Sequence, residues 1–374
     1  MTERQRFIDD LYRGLFSMTE LCARYGISRK TGYKWLGRYD DQGRAGLGDR
    51  SHAPQHCPHK IADDVARALC GARQAHPSWG PRKLLDWLGR HEPTLAWPAA
   101  STAGDLLARE GLVKKRVRRR RHLHPGVVTP ITKHPNDLWT SDFKGHFRTG
   151  DGRYCYPLTV ADLHSRLLLG CDALASTQGR EARPCFERLF REYGLPAAIR
   201  TDNGVPFASC GLHGLSQLNV WWMRLGIQHQ RIRPASPQEN GAHERMHRTL
   251  KREATRPAAA NRQRQQRVFD RFRREYNDDR PHEALGGRPP ASVYRPSPRP
   301  FPERLPPIDY PGHYQVRLVC NAGTFRFKSR LLFIANALKQ HPIGLDEVDD
   351  GIWSIYFCRV LLGRLDERDF VIRP

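Results

Sequence analysis

Apolar residues recur at helical spacing through the first forty positions, in short runs broken by turns. In "SMTELCARYGISRKTGYKWLGRY", Ser17 is placed to cap a helix that carries Leu21, Cys22 and Tyr25 on its buried side. Gly26 supplies a tight turn, Ile27 plugs the core, and Ser28 caps a second helix that presents Arg29, Lys30, Thr31 and Lys34 outward. Those side chains reach phosphates and base edges in a major groove, so the pattern predicts a DNA-binding helix-turn-helix over residues 1–45. The polar, Gly- and Pro-containing stretch from Asp40 to Lys60 reads as a linker; its His52, His56, Cys57 and His59 lack the paired spacing of a zinc site. A second amphipathic series follows. Pro81 suits a first helical turn, Leu84, Leu85 and Leu88 form a stripe, and Ser101 can cap the last helix, which predicts a second, winged-type helix-turn-helix over 58–115.

After Pro135 the period changes from helix to strand. "DLWTSDFKGHF" alternates, with Trp139, Ser141, Phe143 and Phe147 on one side and Thr140, Asp142, Lys144 and His146 on the other. An aspartate in mid-strand is costly to bury unless something pairs with it. "YCYPLTVADLHSRLLLGCDAL" gives two more strands, expected as antiparallel neighbours, and "TQGREARPCFERLFREYG" an amphipathic helix ending at Gly194. "AAIRTDNG" is a short strand running into Asp202. Asp-Asn-Gly alone signals a hairpin, but the residues after it do not alternate; they read as a loop, a helix and the strand "IQHQRI". Asp202 then falls at the carboxyl end of a strand, where α/β sites are built. A helix carrying Glu244 follows. Three strands, helix, strand, helix, strand, helix is an RNase H-like order, with a mixed five-stranded sheet, and the block spans 136–296. Residues 297–311 are Pro-rich and expected to be stiff and extended; 312–374 hold short alternating strands that predict a small β-barrel.

Charge narrows the partners. The chain has 374 residues, with 62 Lys+Arg against 39 Asp+Glu, a net charge of +23 and a pI near 10.1. Each phosphate neutralised on a polyanion releases a counterion, so DNA or RNA is the expected partner. The basic linker 116–135 contains Arg118, Arg119, Arg120 and Arg121, expected along a DNA backbone. His122 and His124 imitate a His-hydrophobic-His metal motif but sit inside that arginine run. Nine scattered cysteines without a Cys-x-x-Cys pair fit reduced thiols in a cytoplasm. No apolar run reaches the roughly 18 residues of a membrane span, and "MTERQRFIDDLYRG" does not read as a signal peptide.

"GAHERMHRTLKRE" supports two chemistries. His243-Glu244-x-x-His247 has the spacing of a zinc protease helix, with Glu244 as base. Leu250 and Glu253 occupy the places of the Gly and third His of one such motif, and the helix is strongly basic. In the other reading Glu244 alone matters, as a carboxylate of a magnesium site.

"LWTSDF", "IRTDNGVPFAS" and "SPQENGAHERMHRTLK" resemble the three acidic motifs of the DDE integrase core, shared by retroviral integrases and bacterial insertion-sequence transposases. The resemblance covers Asn136 to about Pro296, including "YNDDRPHEALGGRPPASVY". It implies Asp142, Asp202 and Glu244 as catalytic residues and as ligands of two Mg²⁺ or Mn²⁺ ions, which suit hard oxygen donors. It also implies cleavage of element ends and strand transfer into double-stranded target DNA, by a homo-oligomer, dimer or tetramer, on paired ends in a bacterial cytoplasm at the nucleoid. The terminal barrel is expected to be SH3-like. One departure is the 41 residues between Asp202 and Glu244, against about 35 in the family, which leaves Glu239 closer to the family count and makes "GLHGLSQLNV" read as a local insertion. Arg248 and Lys251, sharing a face with Glu244 and His247, are expected near DNA phosphate. The rival of another class is a non-catalytic DNA-binding regulator derived from a transposase.

Overall fold

Three helices build the first unit: α1 (Glu3–Tyr12), α2 (Met18–Arg24) and α3 (Arg29–Gln42). The computed structural model describes residues 2–49, 61–113, 132–209, 214–233 and 241–373, and divides into two compact units, Met1–Ile61 and Ala62–Pro374. Ser17 caps α2 in a reciprocal pair with Glu20, and Ser28 caps α3, each hydroxyl satisfying a backbone N–H that the helix start leaves free. Gly26 takes φ +59°, the left-handed conformation this turn needs. Phe7, Ile8, Leu21, Cys22 and Leu47 form the core, with Tyr25 and Ile27 against it. Arg29, Lys30 and Lys34 are exposed as expected. Thr31 is not free on that face: it is half-buried, and its hydroxyl meets Ser28 Oγ at 2.9 Å, because a third-position hydroxyl folds back on the cap.

The second unit opens with α4 (Asp63–Ala75), α5 (Pro81–His91) and α6 (Ala100–Arg109). Pro81 occupies the first turn of α5, and Leu84 and Leu88 are buried. Ser101 does not cap α6. The N-cap lies two residues earlier, at Ala99, which is extended and makes no side-chain capping bond. Arg118 to Arg121, the His122/His124 pair, and His52, His56, Cys57 and His59 lie outside the described residues.

The central sheet runs β4-β3-β1-β5-β6, from β1 (Leu138–Phe143), β3 (Tyr154–Asp162), β4 (Leu168–Leu174), β5 (Ala198–Thr201) and β6 (Gln228–Arg231), while the two-residue β2 (Phe147–Arg148) pairs with the start of β3. β3 is antiparallel to β1 and β4, and β5 is parallel to both β1 and β6. Both faces are covered. On one, α7 (Gly179–Tyr193) and α8 (Gln217–Arg224) bury Trp139, Leu158, Val160, Leu169 and Ile199. On the other, α9 (Gly241–Ala254) and α10 (Arg262–Arg274) close over Cys155, Leu168 and Cys171. Phe147 belongs to this second face, packed near Phe269, and not with Trp139 and Phe143. The alternation breaks after Phe143, where Gly145 at φ +80° turns the chain and resets the count.

Helix α8 is buried on two sides. Leu218, Trp221, Trp222 and Leu225 enter the sheet core, while Val220, and Leu215 just before the helix, enter the core of the C-terminal strands. The second half of "GLHGLSQLNV" is therefore packed between two cores. Residues 297–311 are strapped to the central domain: the Arg299 guanidinium donates to the carbonyls of Pro196, Leu225 and Gly226, and Phe301 stacks on Phe190.

The C-terminal strands do not close into a barrel. β7 (Gln315–Leu318), β10 (Pro342–Asp349), β11 (Ile352–Phe357), β12 (Val360–Asp366) and β13 (Val371–Arg373) make an open antiparallel sheet in the order β13-β12-β11-β10-β7. β8 (Thr324–Phe327) and β9 (Arg330–Phe333) form a separate hairpin on the same apolar core. After Leu318 the chain bonds to His341 and then turns tightly between Cys320 and Thr324, which takes β8 out of the ladder before it can bridge the two edges. The seven described cysteines Cys22, Cys70, Cys155, Cys171, Cys185, Cys320 and Cys358 are free thiols.

Close helix packing in the first unit yields a contrast. A Cβ on Gly32 would lie 2.6 Å from Cys22 Sγ and 3.1 Å from Phe7 Cζ, whereas one on Gly37 meets nothing within 4 Å. Gly32→Ala is expected to destabilise α1–α3 by about 1–3 kcal/mol through overpacking. Gly37→Ala should stabilise them by up to about 1 kcal/mol through helix propensity. Hydrogen exchange of these helices reads both; equal effects would refute the packing argument.

Candidate active site

Register brings the first two carboxylates together. β1 and β5 are parallel, with Leu138 beside Ala198 and Thr140 beside Arg200. Carried two residues on, that register sets Asp142 beside Asp202, one strand spacing of about 4.8 Å away along the sheet. Both sit at the carboxyl ends of their strands. Asp202 follows Thr201 directly and accepts a hydrogen bond from the Gly204 N–H at 3.1 Å. Glu244 lies in the first turn of α9 and is exposed. Glu239 lies outside the described residues.

The Asp142 carboxyl is pushed up to about 7, first by burial and then by the charge of Asp202, with Glu244 adding in the same direction and Lys144 opposing. Three carboxylates thus act on one another electrostatically, with one nearby lysine set against them. Sequence reasoning had not singled out Lys144 for this; its place two residues after Asp142 on the same strand face was the available signal.

The histidines of α9 have a different role from either sequence reading. His243 and His247 are 2% and 6% exposed and face the sheet, so His247 does not share the open face of Glu244. His243 Nδ1 meets Thr140 Oγ1 at 2.8 Å and its Nε2 meets Thr159 Oγ1 at 2.7 Å. His247 Nε2 reaches the same Thr159 hydroxyl at 2.7 Å. Burial pushes His243 down to about 3 and His247 to about 2, so both are neutral. His247 Nδ1 lies 3.6 Å from Asp142 Oδ2, too long for a hydrogen bond, and with a neutral ring this is a contact between imidazole and carboxyl rather than an ion pair. A zinc site would need ring lone pairs directed at one point; His243 spends both nitrogens on strand hydroxyls. The pair instead anchors α9 to β1 and β3 and thereby fixes where Glu244 starts. Arg248 and Lys251 are exposed on the outer side of α9.

Among the described residues no group of three or more His, Cys, Asp or Glu is assembled to hold a metal. The adjacent pair Asp142 and Asp202 nevertheless fits a hard divalent cation in kind: Mg²⁺ takes one or two carboxylates and completes its shell with water and substrate phosphate.

With this geometry in view, comparison with known proteins is informative. The integrase core domain family matches residues 132–237, and a second integrase core domain family matches 225–290. A helix-turn-helix domain matches 3–55 and a homeodomain-like domain 31–107. Residues 132–290 of the chain are thus similar to integrase core domains. Among relatives, it is 28% identical over 243 residues to an uncharacterized 39.2 kDa protein of insertion element IS476 from Xanthomonas euvesicatoria, covering 64% of this chain and 66% of that one. It is 26% identical over 172 residues to the transposase for insertion sequence element IS904 from Lactococcus lactis, covering 44% and 65%. A Gag-Pol polyprotein of baboon endogenous virus is 32% identical over 124 residues, 32% of this chain and 7% of that one. The chain therefore spans about two thirds or less of the length of these relatives. Similar solved structures include the HTLV-2 integrase catalytic core with magnesium, at 17% identity and TM-score 0.35 over 44% of this chain and 99% of that one. A simian T-cell lymphotropic virus intasome matches at 17% identity and TM-score 0.40, over 79% and 97%. No described helix of the chain is long and apolar enough to cross a membrane.

Two stability predictions follow from the buried polar groups. Thr159→Val removes the one hydroxyl that both histidines use and leaves two buried ring nitrogens short of a partner, at about 1–3 kcal/mol each; denaturant unfolding should show a loss in that range, and a loss below 0.5 kcal/mol, about the error of such a measurement, would refute the anchor. The second concerns pH. A carboxyl raised on folding contributes stability that is present below its ordinary pKa of 3.8 and lost as pH rises through about 7. The buried neutral histidines run oppositely: their contribution is present above 6.5 and lost as pH falls toward about 3. In chelator, Asp142→Asn should therefore be more stable than the parent by roughly 2–4 kcal/mol at pH 8 and equal to it near pH 4. Equal stability at both pH values would refute the crowding.

Proposed function

We propose that this chain is a transposase that binds the ends of a mobile DNA element, cuts a phosphodiester to free a 3′-hydroxyl, and joins that hydroxyl to target DNA. The observation that carries the reading is the parallel β1–β5 register, which extended by two residues puts Asp142 level with Asp202, with Asp142 raised first by burial and then by the charge of Asp202. The integrase core matches and the helix-turn-helix matches support the same reading. Asp142 and Asp202 would hold Mg²⁺ or Mn²⁺, with Glu244 completing the set from α9. When bound, two such ions supply an activated oxygen nucleophile and neutralise charge on the leaving oxygen.

The chain's own residues have separate tasks in this scheme. Asp142 presents its oxygens from the end of β1, and Asp202 from the residue directly after β5, where the Gly204 N–H donates to its carboxylate. Thr140, Thr159, His243 and His247 are positioning residues that set the helix bearing Glu244. Arg29, Lys30 and Lys34 on α3 offer exposed cations for the recognition of DNA, and Arg248 and Lys251 offer them along α9. Arg118 to Arg121 remain assigned to the DNA backbone on sequence grounds. A homo-oligomer on paired ends is part of the proposal, since two ends must be held together for joining.

Strand transfer with the DNA flanking the gene, in Mg²⁺ or Mn²⁺, tests the reading. Asp142→Asn, Asp202→Asn and Glu244→Gln are each expected to lower product by at least about 10³-fold, a loss of roughly 4 kcal/mol of transition-state stabilisation, with binding of the same DNA kept within about threefold. Full activity in Asp202→Asn would overturn the site. No product from the parent, with DNA binding intact, would favour the non-catalytic regulator.

A further inference from the structure

A cavity of about 430 Å³ lies against α9, and four cations line it: Lys83 from α5, Arg166 from the turn between β3 and β4, Arg245 from α9, and Arg280 after α10. Their acid partners are few. Arg280 is held by Glu253 at 3.0 and 3.2 Å, and the one lining carboxylate, Glu283, is 87% exposed and turned to Arg82. Among the described residues, the side chains of Lys83, Arg166 and Arg245 make no hydrogen bond or ion pair; Arg245 is engaged only through its backbone, where its carbonyl accepts from Thr249. Arg166 Nη1 and His282 Nε2 are buried without any partner, and both residues line this cavity. Burial, and then the neighbouring cations, depress Lys83 to about 8 and lower Arg166, as expected of like charges gathered out of water.

A buried guanidinium nitrogen left unbonded is costly, and so is a gathering of like charge; one bound anion relieves both. The lining is suited to a tetrahedral oxyanion: the forked guanidiniums of Arg166 and Arg245 and the Lys83 ammonium approach from three different elements. We infer that this cavity is a phosphate site, and that its occupant is a backbone phosphate of the DNA held jointly by the second helix-turn-helix module and the catalytic core. The inference rests on the reading of the chain as a DNA-acting enzyme, and deepens it. Two placements favour a DNA phosphate over a free one. Arg245 is the residue after Glu244 on α9, so a strand seated here passes the candidate active site. Lys83 belongs to α5, and α4–α6 are themselves fastened to the core, through His76 on Glu275 at 3.2 Å, the Ser78 hydroxyl on Glu253, and Arg90 donating to the Asp279 carbonyl at 2.8 Å. A phosphate bound between them would register the recognition module against the site that cuts.

The test uses the full chain with Arg166→Gln, Lys83→Gln and the double variant, in two arms. The first measures binding of an element-end duplex across a salt series. Each single variant is expected to bind about tenfold more weakly at low salt, with the slope of log K against log salt shallower by about 1; the double variant should add little, since one phosphate is shared. The second follows thermal unfolding with added inorganic phosphate, which should stabilise the parent by a shift that Arg166→Gln and Lys83→Gln lose. Unchanged slopes together with an unchanged phosphate shift would overturn the site. A phosphate shift lost in the variants with DNA slopes unchanged would overturn the DNA assignment and leave a free-phosphate site. Failure of the parent to bind DNA at all would refute the proposed function instead, and the phosphate arm would still read the cavity. Lys83→Gln, at a partly exposed position on a helix surface, guards against misfolding of Arg166→Gln; both variants should retain the parent's circular dichroism.

Discussion

A sheet covered on both faces has no water to offer its polar side chains, and this constraint organises the central domain. Thr140 and Thr159 point from neighbouring strands into the layer beneath α9, where an unmatched hydroxyl would be costly. Two histidines one helical turn apart supply the match. Because Thr159 serves both rings, the helix cannot slide or rotate by one residue without stranding a buried nitrogen. The azimuth and height of α9 are thus set by polar complementarity, with Met246 and Leu250 adding apolar area on the same side. Glu244, between the two histidines in sequence, is carried to the open side as a consequence.

The same layer explains which features were legible in sequence. Signals that are local survived intact: Ser17, Ser28 and Gly26 cap and turn the first helices because each acts within three or four residues of itself. The strand placements of Asp142 and Asp202 were legible too, since the alternation and the loss of alternation after Asp202 mark strand ends without knowledge of neighbours. The role of His243 and His247 was not. Their spacing is the same in a zinc helix and in an anchoring helix, and the deciding partner, Thr159, lies 84 and 88 residues earlier. Helix α8 was opaque for a related reason. A helix buried on two sides shows no single apolar stripe, so its second contact, with the C-terminal strands, leaves no periodic trace. The open C-terminal sheet was read as a barrel because strand alternation records which faces are buried and says nothing about which edges meet.

Modules joined in sequence by Pro-rich or basic stretches invite a picture of beads on a tether. The second unit is otherwise arranged. Its residues 297–311 lie on the core through Arg299 and Phe301, and α4–α6 dock through a polar cluster centred on Glu253, which receives Ser78, Arg252 and Arg280. Glu253 is on α9, the helix that carries Glu244 and the anchoring histidines. One helix therefore touches the sheet, the candidate site and the second recognition module. A displacement of α4–α6 would be felt at α9 directly, without passing through the sheet.

Electrostatics gives this arrangement a purpose under the proposed function. An enzyme that acts on DNA with three carboxylates faces a conflict, since the substrate phosphates and the catalytic oxygens repel one another. Net charge of +23 solves attraction at long range, but salt screens it over about 8–10 Å. At contact range the chain must supply cations beside the carboxylates without pairing them off, because a salt bridge to Asp142 or Glu244 would occupy the oxygens that are to bind metal. The cations around α9 meet that condition. Lys144 flanks Asp142 without a hydrogen bond to it, Arg248 and Lys251 stand on the open side, and Lys83, Arg166 and Arg245 are gathered in a cavity whose one lining carboxylate, Glu283, is paired with Arg82 instead. Glu253 does pair with arginine, and it is the α9 carboxylate that fastens a module in place. The division between paired and unpaired acids along one helix thus follows the division between what holds the structure and what is left open for ligand.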